Sequence, residues 1–296
     1  MRFRNSIRFD SNYHCHSSYC DGKKRPGKYA QIAFDGGMKT IGFSSHAPLP
    51  FKAEWAMKKK DLETYFRDIE DLKSNYAGKM EIYAGLEVDY IPRLSSPQSR
   101  LIRSLPLDYT IGSVHFVDRF RDGAHFEIDG STTVFRRGLE EIFHGDIRLL
   151  IKRYYSLIRK MLERAPPDIL GHIDKIKIHN RDKLFFDEKA AWYQEEVLHT
   201  LEVLSATPTI LEVNTRGFYK NKTSDLYPSQ WILQQAAEMG IPVTIDSDAH
   251  HPNELSLGFE QALEAIKKAG FDTFRVLSDF YWKKRKVKHQ QYRRDK

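Results

Sequence analysis

Short apolar stretches and longer amphipathic stretches alternate along most of the chain. Six of the short stretches are typical of buried β-strands, at 39–43, 81–85, 109–112, 168–171, 209–213 and 241–245. Around them the pattern predicts six helices, over 26–36, 58–76, 146–164, 187–205, 228–239 and 258–269. Strands that are separated by helices of about ten or more residues indicate βα units around a parallel sheet.

The repetition of these units favours one α/β barrel over two domains. Six or seven units follow one another without a linker rich in serine and glycine. We therefore expect a single domain over residues 1–280, followed by a basic C-terminal tail over 281–296. The longest gap between successive strands, 116–167, contains a loop and a long helix, and its length predicts an insertion that covers substrate at the barrel rim.

Composition indicates a soluble globular protein. The 296 residues are 41% hydrophobic, which is ample for a buried core. No apolar run approaches the ~20 residues that a membrane helix needs, and the first ten residues lack the apolar core of a signal peptide. We therefore expect a cytoplasmic protein without a membrane partner.

The formal net charge of +7 comes from one end of the chain. Residues 282–296 hold eight Lys or Arg and one acid, which leaves 39 residues of each sign in the rest of the chain. A nucleic-acid enzyme spreads positive charge over a groove or a face instead. We therefore expect a solvated, partly frayed tail and no nucleic-acid partner.

Residue types that bind metal ions follow the predicted strands. His14 and His16 lie two positions apart, so on an extended segment both imidazoles point to the same face. Most other candidates lie at or just beyond a strand end, and because such ends converge on one mouth of a parallel barrel, we expect a single site. The candidate ligands are His14, His16, Asp21, His46, Glu87, His115, His172, Asp248 and His250.

The number of candidates indicates more than one metal ion. One ion takes about four to six ligands, so nine candidates suit two or three ions, with Glu87 as a bridge. The mixture of imidazole and carboxylate favours Zn²⁺, Fe²⁺ or Mn²⁺ over Ca²⁺ or Mg²⁺. Adjacent metal ions stabilise the entering and departing oxygens of a phosphoester displacement, so this set indicates phosphoester hydrolysis.

Polar residues near the same mouth are candidates for holding a phosphate group. Arg216 and Lys220 follow the strand at 209–213, and Lys177 lies five residues beyond His172. Arginine holds phosphate by two parallel hydrogen bonds, whereas lysine acts as a point charge. A solvated surface charge is the alternative for each. Asn214 could orient phosphate or water, and a turn-forming asparagine fits its position equally well.

The motifs that contain these residues resemble those of the polymerase and histidinol phosphatase (PHP) superfamily. They are, in order, H-C-H with C-D-G, S-S-H-A-P, G-L-E-V-D-Y, G-S-V-H-F, G-H-I-D and D-S-D-A-H. Within the superfamily the chain is similar to the histidinol-phosphate phosphatases, through E-V-N-T-R-G, Y-P-S and S-D-A-H-H-P. The resemblance extends from about residue 10 to about residue 275.

The resemblance implies a distorted (β/α)₇ TIM-like barrel, with a trinuclear metal site at the C-terminal ends of its strands. One ion would take His14, His16, Glu87 and Asp248. A second ion would take Asp21, His46 and His250. A third ion would take His115 and His172, with Glu87 as the bridge to the first.

The implied function is metal-dependent hydrolysis of L-histidinol phosphate, a small phosphorylated metabolite of histidine biosynthesis. The reaction would proceed by attack of a metal-bridging hydroxide, with catalytic roles for Glu87, Asp248, His250 and Arg216. One alternative is a PHP-type phosphodiesterase or nuclease, or a phosphatase of another small metabolite. A metal-bound barrel that binds a ligand without catalysis is a further alternative.

Overall fold

The structure, a computed structural model, describes residues 9–287 of the chain; residues 1–8 and the part 288–296 of the predicted tail lie outside the described residues. Seven strands form one parallel sheet in the order β1, β2, β3, β4, β7, β8 and β9. They are β1 (Ser11–Asn12), β2 (Thr40–Phe43), β3 (Glu81–Asp89), β4 (Tyr109–Ser113), β7 (Ile169–Leu170), β8 (Ile210–Asn214) and β9 (Val243–Asp246). The segments after β1 and β9 pair through Cys15 and Ala249, so the barrel is nearly closed.

Helices surround this sheet. The α-helices in residues 9–287 are α1 (Pro26–Asp35), α2 (Leu62–Asn75), α3 (Arg100–Arg103), α4 (Thr132–Phe143), α5 (Ile147–Arg164), α6 (Ala191–Ser205), α7 (Arg216–Tyr219), α8 (Gln230–Glu238) and α9 (Phe259–Ala269). Short 3₁₀ helices cover Lys59–Asp61, Lys175–His179, Arg181–Lys183 and Pro252–Glu254. In this described part, the helices are all too short or too polar to span a lipid bilayer.

The predicted α/β barrel is confirmed. All six predicted strands and all six predicted helices are present. The main difference is β3, which continues to Asp89 rather than ending at residue 85. β3 is longer because its two halves have different partners: Glu81–Ala84 pair with β2, whereas Gly85–Asp89 pair with β4. This stagger of neighbouring strands carries Glu87 up to the mouth of the barrel.

The insertion predicted at 116–167 contains an antiparallel hairpin as well as helices. Its strands are β5 (Phe116–Arg119) and β6 (His125–Glu127), and α4 and α5 follow. Phe126 and Ile128 point into the core, so the alternating residues Glu127 and Asp129 face the other side of the segment. The hairpin is tied to the barrel mouth, because the backbone N–H of Ile128 donates to the carbonyl of His115 at 2.9 Å.

Aromatic residues fill the end of the barrel away from the predicted ligands. Tyr109 spans the interior, and its hydroxyl donates a 2.5 Å hydrogen bond to the carbonyl of Tyr13. Gly42 and Gly85 make room for the Tyr109 side chain, since a Cβ at Gly42 would lie 2.4 Å from its hydroxyl oxygen and a Cβ at Gly85 would lie 2.4 Å from its Cζ atom. The ring positions therefore explain two glycines in the middle of β2 and β3.

A second hairpin closes this end of the barrel. It consists of β10 (Thr273–Ser278) and β11 (Tyr281–Lys286). The backbone N–H of Leu277 donates to the Tyr13 hydroxyl at 2.8 Å, and Trp282 packs edge-to-face on Tyr13 at 5.1 Å. The expectation of a frayed tail from residue 282 therefore does not hold for Trp282–Lys286, where backbone pairing and an aromatic contact order the chain. Most basic side chains of β11 are exposed, as expected.

Candidate metal centre

Glu87 lies at the centre of the predicted ligands, and 1% of it is exposed. Its Oε2 atom lies 3.0 Å from His46 Nδ1, 3.3 Å from His14 Nε2 and 3.4 Å from His16 Nε2. His14 and His16 follow β1, and His46 follows β2. The ends of three neighbouring strands therefore meet at one carboxylate oxygen.

The second oxygen of Glu87 faces two other histidines. Oε1 lies 3.0 Å from His172 Nε2 and 3.6 Å from His115 Nε2, and the hydroxyl of Ser113 donates to it at 2.6 Å. His115 follows β4 and His172 follows β7. Because its two oxygens contact different histidines, Glu87 lies where a bridging ligand would have to lie.

Asp248 belongs to the group formed by His14 and His16. Its Oδ1 atom lies 3.3 Å from His16 Nε2 and 3.8 Å from His14 Nε2. Asp248 has a positive φ of 52°, a strained conformation that concentrates at functional positions. The amide of Asn214 donates to Asp248 Oδ2 at 3.4 Å. Asn214 is fully buried outside the lining of the cavity described below, and its Oδ1 atom accepts from the backbone N–H of Arg216 at 2.9 Å, the contact of a turn-forming asparagine.

Asp21 completes a neighbouring group. Its Oδ2 atom lies 3.1 Å from His250 Nε2, and its Oδ1 atom lies 3.9 Å from His46 Nε2. Three groups of residues have donor atoms close enough to share an ion: His14, His16 and Asp248; His16, Asp21, His46 and His250; and His46, Glu87 and His115. With His172 on Glu87, the structure brings all nine predicted ligands together.

The orientation of the imidazoles fits divalent metal ions. Three rings donate Nδ1–H to fixed oxygens: His14 to Glu212, His115 to Asp89, and His250 to the carbonyl of Asp248. This donation leaves each Nε2 atom facing the carboxylates, so Nε2 is the atom through which each ring would bind a metal ion. The Nε2 atoms of His14 and His16 also lie 3.1 Å apart, a contact that a shared cation would stabilise.

Charges within the group keep the carboxylates ionised. Burial raises the pKa of Glu87, but His46 and His14 outweigh this effect and hold its pKa well below the usual range. Burial lowers the pKa of His16 well below the usual value, and the neighbouring histidines lower it further. Metal ions bind the charged carboxylate and the neutral imidazole, so a bound ion would displace the proton from His14 and His46, whose pKa values the neighbouring carboxylates raise.

Glu212 is an important residue that the sequence prediction missed. It is fully buried on β8, and its Oε1 atom accepts from His14 Nδ1 at 2.5 Å. Its Oε2 atom accepts from the backbone N–H of His172 at 2.7 Å and from Asn214 Nδ2 at 3.1 Å. An acid two residues before Asn214 on one strand lies on the same face as that residue, and this alternation is the signal that could have revealed it.

A cavity of about 290 Å³ opens onto this group, a size that suits a small metabolite. Trp55 forms part of its wall and lies edge-on to the His46 ring at 4.5 Å. Among residues 9–287, the charged residues that line the cavity besides the candidate ligands are Glu127, Asp129, Lys175, Arg216, Lys220 and Lys222. Cations therefore lie beside the candidate metal site, as an anionic substrate requires.

Two predicted phosphate-binding residues, Arg216 and Lys220, line this cavity. Arg216 Nη1 donates to the carbonyl of Asp248 at 2.8 Å, and Lys220 forms an ion pair with Glu254. Within residues 9–287, the other guanidinium nitrogens of Arg216 make no hydrogen bond. Arg216 is thus fixed beside the candidate metal ligands and keeps unused hydrogen-bond donors.

Lys177 is not in the cavity, contrary to the expectation from its position after His172. It is 3% exposed, and its Nζ atom pairs with Asp174 at 2.7 Å. The 3₁₀ helix Lys175–His179 turns Lys175 towards the cavity instead, where it pairs with Asp129 at 3.1 Å. This pair holds the pKa of Asp129 at about 2, although burial opposes ionisation.

Comparison with known proteins identifies the family. The sequence matches the family model of the PHP domain over residues 12–216. Because the match covers more than half of the chain, the protein belongs to the PHP domain family. The resemblance that the ordered motifs indicated is thereby confirmed.

Similar proteins include histidinol-phosphatases. The chain is 29% identical over 261 residues to the "probable histidinol-phosphatase" of Deinococcus radiodurans, with 87% of this chain and 92% of the relative covered. It is 28% identical over 266 residues to the histidinol-phosphatase of Bacillus subtilis, with 85% and 97% covered. A solved structure of histidinol phosphate phosphatase from Lactococcus lactis, complexed with zinc, L-histidinol and phosphate, has a TM-score of 0.71 and 24% identity, with 93% and 98% covered. This structural likeness confirms the fold.

Proposed function

We propose that this protein is a metal-dependent phosphomonoesterase that hydrolyses L-histidinol phosphate to L-histidinol and phosphate. The relatives from Deinococcus radiodurans and Bacillus subtilis are named probable histidinol-phosphatase and histidinol-phosphatase. The similarity to this chain extends over most of the length of each. The similar structure from Lactococcus lactis holds both products of this reaction together with zinc. The single observation that carries the proposal is the position of Arg216 beside Asp248, at the mouth of a small cavity that contains the histidine and carboxylate ligands.

The cofactors in this proposal are two or three divalent transition-metal ions, of the kinds Zn²⁺, Fe²⁺ or Mn²⁺. The zinc in the Lactococcus lactis structure supports the first of these. The residues that would hold them are His14, His16, Asp21, His46, Glu87, His115, His172, Asp248 and His250. When bound, such ions lower the pKa of water and neutralise charge on a phosphoryl group.

The remaining catalytic work falls to side chains of this chain. Arg216 would donate its free guanidinium N–H groups to the non-bridging phosphate oxygens, over which charge is spread in the transition state. Lys220 would add a positive charge on the same side of the cavity. Glu87, Asp248 and His250 would act by holding the ions in register with the phosphate, since their donor atoms are fixed by buried contacts.

A substrate panel tests this proposal. The protein, loaded with Zn²⁺ or Mn²⁺, is offered L-histidinol phosphate, an aryl phosphate, an aryl phosphodiester and an oligonucleotide, and release of product is measured. We expect the highest kcat/KM for L-histidinol phosphate. Preference for the diester or the oligonucleotide would contradict the proposal in favour of a phosphodiesterase, and no turnover at full metal occupancy would favour a binding protein.

Two earlier expectations stay predictions. One is the single domain over 1–280 with a separate basic tail, of which residues 288–296 lie outside the described residues. The other is the location in the cytoplasm, where we would place a biosynthetic enzyme of this type.

A further inference from the structure

The walls of the cavity carry opposite charges on different arcs of the rim. Arg216, Lys220 and Lys222 come from the segment after β8. Glu127 and Asp129 come from the hairpin inserted after β4. In the barrel, β7 separates β4 from β8, so the acidic and the basic residues approach the metal ligands from two sides.

The acidic arc has unused capacity to bind a cation. Asp129 uses Oδ2 to pair with Lys175, but its Oδ1 atom is buried and has no hydrogen-bond partner among residues 9–287. Within the same residues, the Glu127 carboxylate has no ion pair at all, although Glu127 is mostly buried. Two carboxylates share one lysine, so this acidic arc has one carboxylate more than it has ammonium groups. Burial of unpaired charge is unfavourable unless a ligand supplies the partner.

The position of this arc relative to the candidate metal site is fixed. Ile128, between the two acids, donates its backbone N–H to the carbonyl of the ligand residue His115 at 2.9 Å. The substituents of a phosphate held at the metal ligands would extend into the same cavity that Glu127 and Asp129 line. In L-histidinol phosphate, the carbon next to the ester CH₂ carries an amine, which is protonated at neutral pH. The substrate thus carries both an anion and a cation, and the cavity is lined by both cationic and acidic residues.

We infer that Glu127, together with the free oxygen of Asp129, binds the protonated amine of the substrate and selects phosphomonoesters of amino alcohols. This inference rests on the proposed function and assigns its specificity to a second set of residues. Arg216 and the metal ligands recognise the phosphate, which many metabolites share. The acidic pair recognises the amine, so an ester without an amine leaves these carboxylates unpaired and binds more weakly.

A matched pair of substrates tests the inference. The substrates are L-histidinol phosphate and its deamino analogue, 3-(imidazol-4-yl)propyl phosphate. We expect the wild-type protein to prefer the amine by about tenfold or more in kcat/KM, the scale of one charge-assisted hydrogen bond. Glu127→Gln, which keeps the shape and removes the charge, should lose most of that preference through a higher KM for L-histidinol phosphate, with little change for the analogue.

The control is Glu141→Gln, since Glu141 is an exposed acid in the same insertion that pairs with Arg137 and does not line the cavity. It should keep the wild-type preference. Inhibition by L-histidinol, compared with inhibition by its deamino alcohol, gives a second readout that does not depend on turnover. The thermal unfolding midpoint verifies that each variant is folded.

The possible failures are distinguishable. Equal loss of activity towards both esters in Glu127→Gln would show a structural role and overturn the inference alone. The absence of any preference in the wild-type protein would do the same, while leaving the phosphatase proposal intact. Wild-type protein that hydrolyses neither ester would overturn the proposed function, and with it this inference.

Discussion

His14 and Glu212 form a fully buried hydrogen bond, with 2.5 Å between Nδ1 and Oε1. The same carboxylate accepts from the backbone N–H of His172, so one acid fixes two candidate ligand positions that are 158 residues apart (172 − 14). Burial lowers the pKa of His14, but Glu212 and Asp248 outweigh this effect and raise it well above the usual value. Glu212 therefore sets the orientation and the electron density of the His14 ring.

Glu212→Gln is expected to weaken metal binding without unfolding the protein. The amide can occupy the same space, but it lacks the negative charge that makes the His14 ring a strong electron donor to a metal ion. Changes of this kind cost about 10–100-fold in metal affinity. Metal content after dialysis against a weak chelator measures the effect. Glu202→Gln, at an exposed position of α6, is the control. Unchanged metal content in Glu212→Gln would show that His14 is oriented by other contacts.

Glu87→Gln is expected to be more damaging than Asp21→Asn. The two oxygens of Glu87 contact different histidines, whereas Asp21 lies at the edge of the group with a third of its side chain exposed. We expect Glu87→Gln to lose more bound metal, measured by elemental analysis, and to abolish turnover. Equal losses of metal from the two variants would contradict a bridging role for Glu87.

Lys175 and Lys177 offer a comparison of function with stability. Lys177→Met leaves the fully buried Asp174 unpaired and is expected to cost about 3–5 kcal/mol of stability, measured by denaturant unfolding. The folded fraction should keep its KM. Lys175→Met removes a charge that lines the cavity, so its KM should rise instead. A higher KM in Lys177→Met together with an unchanged KM in Lys175→Met would reverse this assignment.

The hairpin of β10 and β11 is expected to contribute to stability and not to catalysis. Trp282 packs on Tyr13 and Tyr109 at the end of the barrel away from the candidate ligands. Trp282→Ala should cost about 2–4 kcal/mol, somewhat below the range for a fully buried tryptophan because Trp282 is partly exposed. Tyr281→Ala, at a position that is 72% exposed, should change the unfolding free energy by less than about 0.5 kcal/mol. Similar losses of stability in both would refute the packing role of Trp282.

Removal of residues 288–296 should leave kcat for L-histidinol phosphate within about threefold of the full chain. This truncation keeps β11, which pairs with β10, and removes none of the candidate ligands. Steady-state kinetics of the truncated protein measure the effect. A large loss of kcat in a folded, metal-loaded truncation would show that the tail reaches the active site.

The sequence predicted well those residues of the site that lie at strand ends. His46, His115 and His172 each follow a short apolar run, and in a parallel barrel that position determines the mouth on which they lie. Glu212 was missed because its alternation with Asn214 on β8 indicates the face on which it lies but not the ligands that it contacts. Its role depends on the distance to His14, which only the closed barrel determines.

Which of Lys175 and Lys177 faces the cavity depends on local geometry that the periodicity of the sequence does not encode. Both follow His172 closely, and a 3₁₀ turn rather than a strand decides which one faces the cavity. Glu127 was not predicted for a related reason: the alternation that brings it to the cavity belongs to the hairpin of β5 and β6, whereas the sequence predicts only a loop and a long helix in this insertion.

The most direct test of the account is the activity of metal-depleted protein towards L-histidinol phosphate before and after divalent metal is restored. Release of inorganic phosphate should fall to background when the metal is removed and return when Zn²⁺ or Mn²⁺ is added. Asp248→Ala, which removes a ligand from the His14 and His16 group, should not regain activity. Full hydrolysis by the metal-free protein, or full recovery of Asp248→Ala, would contradict metal-dependent phosphate release at this site.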